Sequence, residues 1–275
     1  MLDYDEKFER AYKQLNNDEN SISTGEYNKK TFLQEISETI KDLIYGTSGE
    51  DTKLYKETII KKFMNELFPN LNYVPDLEIR DKMFIIDEVN KNFKDSYHLY
   101  SYNIDDYIYG DIEDSSFEIC DLVETYEEKT TDSYIYRSIC TLFTHITLKN
   151  KKECNIFIRS KNERYIENFK NDIKLDNKDF NENYVVIADN NVVVYEVLTT
   201  ELIQLILEQR EKIDFDTVIK NNNIYFKFYT HTPIFEIDQE NGTISKEKFY
   251  EYYQLLNFAI DFSKKVEKIY KDTEI

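Results

Sequence analysis

The chain is 275 residues long and carries 54 Asp and Glu against 35 Lys and Arg, a formal charge of −19. So acidic a molecule repels nucleic-acid phosphates and anionic headgroups unless a local basic stripe overrides the field, and no such stripe occurs; a nucleic-acid partner and direct membrane insertion are not expected. With 41% hydrophobic and 15% aromatic residues global disorder is excluded, while 5 Gly and 3 Pro supply neither glycine-rich phosphate loops nor proline-rich linkers.

The first third reads as helical. Tyr4, Phe8, Tyr12 and Leu15 recur at helical spacing, and Phe32, Leu33, Ile36, Ile40, Leu43 and Ile44 trace one face of a second helix that Gly46 and Gly49 stop. A third helix is expected from about Asp51 to Phe68. It has Tyr55, Ile59, Phe63 and Leu67 on one stripe and Ile60, Met64 and Phe68 on the next, and Pro69 marks its end. Two adjacent stripes imply contact on two sides, which a hairpin of the second and third helices docked on the rest of the chain would provide.

From about Tyr97 the period changes to two. Tyr97–Ile104, Tyr107–Tyr109, Phe117–Tyr126, Tyr134–Leu148 and Asn155–Arg159 are rich in β-branched and aromatic residues and read as strands, in an antiparallel meander. Leu142, Thr144, Ile146 and Leu148 alternate with Phe143, His145 and Thr147, which suggests a strand covered on both faces. Tyr184–Ala188 and Val192–Val197 flank Asp189, Asn190 and Asn191, the composition of a β-hairpin turn. Thr199 fits the N-cap of a helix carrying Leu202, Leu205, Ile206 and Arg210. Strands are expected at Ile224–Thr230 and Ile234–Ile237, then a long helix from Ser245 with Phe249, Tyr253, Leu256, Ile260, Val266 and Ile269 on its apolar face. The fold class is therefore α+β: an N-terminal helical hairpin packed on a mostly antiparallel β-rich domain with a long C-terminal helix. Residues 1–70 form the helical region and 71–275 the α+β domain, or the two make one continuous domain.

These segments carry a resemblance. NLNYVPDLEI with Phe84 after it, IDDYIYGDIEDSSFEICDL, the TLFTHITL strand, FNENYVVIADNNVVVYEVLTTELIQLI and the later FEI together resemble the bacterial family known as domain of unknown function 3137, in matching order and spacing from about Tyr55 to Ile237. The resemblance implies a β-rich domain and, in typical members, a preceding pair of hydrophobic membrane segments. Here Phe32–Phe68 is amphipathic and charged, so no anchor carries over. No activity comes with the family. Its positions Tyr73, Pro75, Gly110, Phe117, Phe143, Phe180 and Leu198 read as packing and turn residues.

The strongest local feature is acidic. Eleven Asp and Glu lie between Asp105 and Asp132 against Lys129 alone. Hard cations want several converging carboxylate oxygens, and Asp105, Asp106 and Asp111 around Gly110 are the candidate metal ligands, with a divalent cation as the one cofactor to consider and His145 as a neighbour. The plainer expectation is a solvated face, each acid alternating outward on a strand. A third is a docking surface for a basic partner. Asp238–Glu247 is a poor EF-hand, with its glycine at the fifth position, and Asn241-Gly242-Thr243 is only formally a sequon. His145 reads as a satisfied, partly buried histidine and His231 as a surface residue; His98 carries no motif. Cys120, Cys140 and Cys154 lack metal or redox spacing and read as reduced thiols. Tyrosine, 23 in number, is expected mostly in the core and partly at a binding surface. The opening MLDYDEKFERAYKQL has no apolar signal region and no 18-residue apolar run occurs, so a cytoplasmic protein is expected.

No catalytic or cofactor motif is present, so the sequence specifies no activity. It favours a non-enzymatic cytoplasmic interaction module whose partner is a basic protein or a membrane-associated one. The alternatives are a divalent-cation-dependent enzyme or regulator built on the acidic cluster, and a soluble companion of a membrane protein.

Overall fold

The computed structural model describes residues 6–13, 56–93, 98–129, 133–161, 172–233, 235 and 246–273. The second expected helix, most of Ile234–Ile237 and the segment holding the EF-hand-like run and the sequon lie outside these residues, and so does the helical hairpin as a unit. What is described of the N-terminal region is α1 (6–13) and a π-helical turn Lys56–Ile60 that runs into α2 (Lys61–Leu67). Phe63 and Leu67 of one stripe and Ile60, Met64 and Phe68 of the other are all buried, so α2 is covered on two sides as its double stripe requires.

Eight strands form a single antiparallel sheet in the order β1-β2-β3-β4-β8-β7-β5-β6. They are β1 (Leu71–Val74), β2 (His98–Ile112), β3 (Ser115–Lys129), β4 (Tyr134–Thr147), β5 (Asn155–Ser160), β6 (Tyr184–Ala188), β7 (Phe215–Lys220) and β8 (Asn223–Thr230). The meander holds as far as β4; its next neighbour is β8. Between the strands lie α3 (Ile79–Asn92), α4 (Lys178–Asn183), α5 (Asn191–Val197) and α6 (Thr200–Arg210), and α7 (Lys246–Thr273) closes the fold.

Three features correct or extend the sequence reading. Val192–Val197 is the helix α5, not the second arm of a hairpin: Asn190 caps it by accepting from the Val192 amide at 2.9 Å, and Val194 and Val197 are buried while Val192 and Tyr195 face out. A six-residue apolar run has no period of its own, and here the cap and the three-residue step decide it. The segments expected as Tyr97–Ile104 and Tyr107–Tyr109 are one strand, β2, interrupted by a bulge between Asp105 and Ile108. Strands β1 and β7 and helices α3 and α4 are additions. In β7 Asp216 and Thr217 are as buried as Phe215 and Ile219, which erases the usual alternation.

Each face of the sheet has its own cover. On one, α7 lays Phe258, Phe262 and Val266 against a core with Phe117, Ile119, Ile146, Ile158, Phe215, Phe226 and Phe228, which α1, α2 and α6 complete. On the other, Ile85, Val89 and Phe93 from α3 and its C-terminal end cover Ile104, Cys120, Leu122, Phe143 and Val218. Leu142 and Ile146 join the first core and Phe143 the second, so β4 is covered on both faces, as its alternation implied. The family positions do serve packing and turns: Phe117, Phe143, Phe180 and Leu198 are buried. Gly110 has φ +149°, and a Cβ there would lie 2.3 Å from the Asn70 carbonyl oxygen, so only glycine lets β1 approach β2 at this point.

Candidate functional site

The acids between Asp105 and Asp132 do not form one solvated face. Asp106, Asp121 and Glu124 are buried. Asp106 sits in the β2 bulge at φ +54°, a conformation that Asp tolerates better than most residues, with its amide donating to the Pro75 carbonyl at 3.3 Å. The bulge turns Asp105 and Asp106 toward one ammonium: Lys56 Nζ donates to Asp105 Oδ2 and to Asp106 Oδ2, each at 2.6 Å. The Tyr73 hydroxyl donates to Asp106 Oδ1. Two of the three proposed metal ligands thus come together, and the cation they share is Lys56. Asp111 lies five residues along the strand, roughly 16 Å away at 3.3 Å per residue, where it accepts from Ser116 Oγ at 2.6 Å. Among the described residues no group of three or more His, Cys, Asp or Glu is placed to hold a metal ion.

A second buried polar group lies on the α3 face. Lys227 Nζ and Glu124 Oε2 are 2.6 Å apart, both essentially inaccessible, and the ammonium lies 5.6 Å from the centre of the Phe93 ring. Beside them Asp216 accepts from the Ser160 amide and from the Tyr229 hydroxyl, each at 2.8 Å, with Arg159 Nε 3.6 Å away. Further along, His145 holds Glu118 through Nδ1 at 2.8 Å and Asn223 through Nε2 at 2.9 Å and stacks on Tyr225 at 4.6 Å. With both ring nitrogens occupied, it is the satisfied histidine that its mid-strand position implied. Cys120 and Cys154 are buried and Cys140 partly buried, and none of the three is in a disulfide. His231 is exposed, and the His98 side chain lies outside the described set.

These charges predict an unusual pH response. Burial pushes Asp106 up to about 6 against the pull of Lys56, and Asp216 up to about 6 against Arg159. A carboxyl whose folded value is raised binds its proton more tightly in the native state, so its stabilising contribution is present at low pH and lost as pH rises through 6. Glu118, held low chiefly by its bond to His145, acts in the opposite sense but only as pH falls below the usual carboxylate range. The protein is therefore expected to be more stable at pH 5.5 than at 7.5, by roughly 1 kcal/mol for each raised carboxyl, and to melt at a correspondingly higher temperature. Calorimetry on Asp106→Asn and Asp216→Asn checks this: each should flatten the slope, and an unchanged slope would assign it to general charge relief.

The most exposed apolar surface lies elsewhere. The β3–β4 ladder runs from Tyr134 to Thr147, but β8 pairs with β4 only from Cys140 onward. Six residues, Tyr134–Ile139, thus have β3 on one side and, among the described residues, no strand on the other. On the far side β1 pairs only with Tyr107–Gly110, so β2, β3 and β4 overrun the sheet as a three-stranded arm. Its large side chains are bare: Tyr100 is 60% exposed, Tyr134 54%, Ile135 43% and Tyr136 52%. Sequence reasoning placed these strands but not the overhang, for which their 14–15 residues, against a usual five or six, were the available signal. It also missed Lys56 and Lys227 as partners of the acids. A lone lysine inside the apolar run of β8 was the cue for the latter.

Two grooves of about 320 Å³ each flank α7. One, against the β2–β3 turn, sets Lys264, Lys268 and Lys271 among Glu113, Asp114 and Glu267; the other, against α6, is lined by Glu208, Gln209, Tyr250 and Asn257. Neither is lined by a histidine or cysteine. No helix of the described residues is long and apolar enough to cross a membrane.

No curated protein and no solved structure matches the chain. The family described as protein of unknown function (DUF3137) matches over residues 83–268, about two thirds of the sequence. That span holds strands β2 to β8 and most of α7, which form the arm and much of both cores, and the chain belongs to the DUF3137 family.

Proposed function

We propose that the protein is a non-enzymatic interaction module that docks a protein partner on the β2–β3–β4 arm. One observation carries this reading: a six-residue strand edge, about 20 Å long, has no strand beside it among the described residues and lies next to four exposed large apolar side chains. Natural proteins normally blunt such an edge with lysine, proline or a covering segment, because unpaired backbone groups template strand addition. Next to the exposed Arg137, Tyr134, Ile135 and Tyr136 offer aromatic and branched surface of the kind that binding sites use. The buried acids support the same reading in a different way. Asp106, Glu124 and Asp216 are each matched to a cation or a hydroxyl inside the fold, so they act in holding the sheet that bears the arm. Three cysteines outside any disulfide agree with a reducing, cytoplasmic compartment.

A photo-crosslinking amino acid at position 134 tests this in lysate of the host, with soluble and detergent-solubilised membrane fractions kept apart. A discrete adduct is expected from position 134, none from the equally exposed position 192, and about a tenfold loss when Tyr136→Lys is added to the first. The fraction that yields the adduct separates a soluble partner from a membrane-bound one. Equal labelling from both positions would remove the arm as the docking site.

A further inference from the structure

We infer that the arm selects its partner by charge: the tyrosine face of β4 seats a lysine or arginine side chain of an extended segment added along the open edge. The inference rests on the proposed docking role and specifies its chemistry. Tyr136 and Glu127 are direct cross-strand partners and therefore lie on one face of the arm, with Tyr134 two residues along β4 on the same side. Tyr100, at the irregularity between Leu99 and Ser101 of β2, reaches across β3 to meet Tyr136 edge-on, with ring centroids 4.9 Å apart at 61°. The group is compact enough that desolvation by its neighbours, the Glu127 charge and the Tyr100 and Tyr134 hydroxyls together raise the pKa of Tyr136.

Two rings in contact, with a third tyrosine and a carboxylate on the same face, suit a cation. Among the described side chains, which do not include that of Lys129 opposite Tyr134 on this face, no lysine or arginine pairs with Glu127, although lysines elsewhere on the surface do pair with acids, as Lys264 does with Glu113 and Lys149 with Asp114. Strand addition would deliver the cation by register alone. The residue of an added strand that lies opposite Tyr136 has its Cβ about 5 Å from that of the tyrosine and on the same face. Its charged group then falls within the roughly 6 Å reach of a cation over a ring. The next residue of the added strand turns to the other face, where Ile135 and Ile139 flank Arg137. The partner segment therefore alternates basic and apolar residues. The chain's charge of −19 steers such a segment in and repels an acidic one, a second copy of this chain included.

The test uses the full chain with ring-labelled tyrosine, signals assigned by substitution, and two ten-residue peptides: alternating arginine and valine, and the same peptide with citrulline for arginine. The arginine peptide is expected to shift the Tyr100, Tyr134 and Tyr136 signals saturably and to bind roughly tenfold more tightly than the citrulline peptide. That gap should narrow in 0.5 M salt, roughly a 4 Å screening length, and in Glu127→Gln. If both peptides bind alike and shift the same tyrosines, the cation seat is wrong and strand addition stands. If neither moves these signals, both fail. Arginine-peptide shifts that leave the three tyrosines untouched, or a dimer held by the arm in sedimentation, overturn the inference as well.

Discussion

Replacing Lys227 by methionine should lower the free energy of unfolding by about 3–5 kcal/mol, because it leaves the Glu124 carboxylate buried without its cation. The two charges meet on the α3 face in the middle of the sheet, 2.6 Å apart and each almost wholly inaccessible. Water cannot reach Glu124 to compensate, and the new methyl thioether offers it no hydrogen bond. Replacing both partners removes the problem along with the pair, so Glu124→Leu combined with Lys227→Met should lie within about 1–2 kcal/mol of the native protein. Urea unfolding of the two single variants and the double variant closes the thermodynamic cycle. Additive losses would mean that the ion pair does not hold the sheet.

The Lys56→Met variant should be destabilised by about 3 kcal/mol at pH 7.5 and distinctly less at pH 5.5. Lys56 begins the π-helical turn before α2, and its ammonium is the point at which this helix is tied to the β2 bulge. Without it Asp105 and Asp106 face each other uncompensated. Asp105, partly exposed, can turn to water, whereas Asp106 is buried and must take up a proton. Acidification supplies that proton, so the loss shrinks as pH falls. Denaturant midpoints at the two pH values check this, and a loss independent of pH would show that Lys56 acts by packing alone. Tyr73→Phe leaves Asp106 with Lys56 and should have the smaller effect, near that of a single hydrogen bond to a charged group.

Much of the fold was legible because it follows from local chemistry. Thr199 caps α6 by accepting from the Leu202 amide at 3.4 Å, as a threonine ahead of an apolar helical stripe suggests. Strands β3, β4 and β8 announce themselves through β-branched and aromatic runs, and the double stripe of α2 is buried on both sides. Misreadings arose where local signals were neutral. The valines of α5 suit a strand as well as a buried helix, and an asparagine cap decided between them. The acid-rich stretch looked uniform because an aspartate in solvent and one bonded to a lysine 50 residues away have the same letter.

The sequence by itself determined the class of the protein: its acidity, its α+β composition, the positions of most strands, its family and the lack of any signalled chemistry. Those properties are sums or short-range patterns, set by side-chain volume, hydropathy and backbone preference within a few residues. Only the tertiary structure decided which acids are buried, which lysines answer them, and that β4 continues past β8. These depend on strand order and register, where residues far apart in the chain become neighbours, and the energy of a charge or a strand edge depends on what stands beside it.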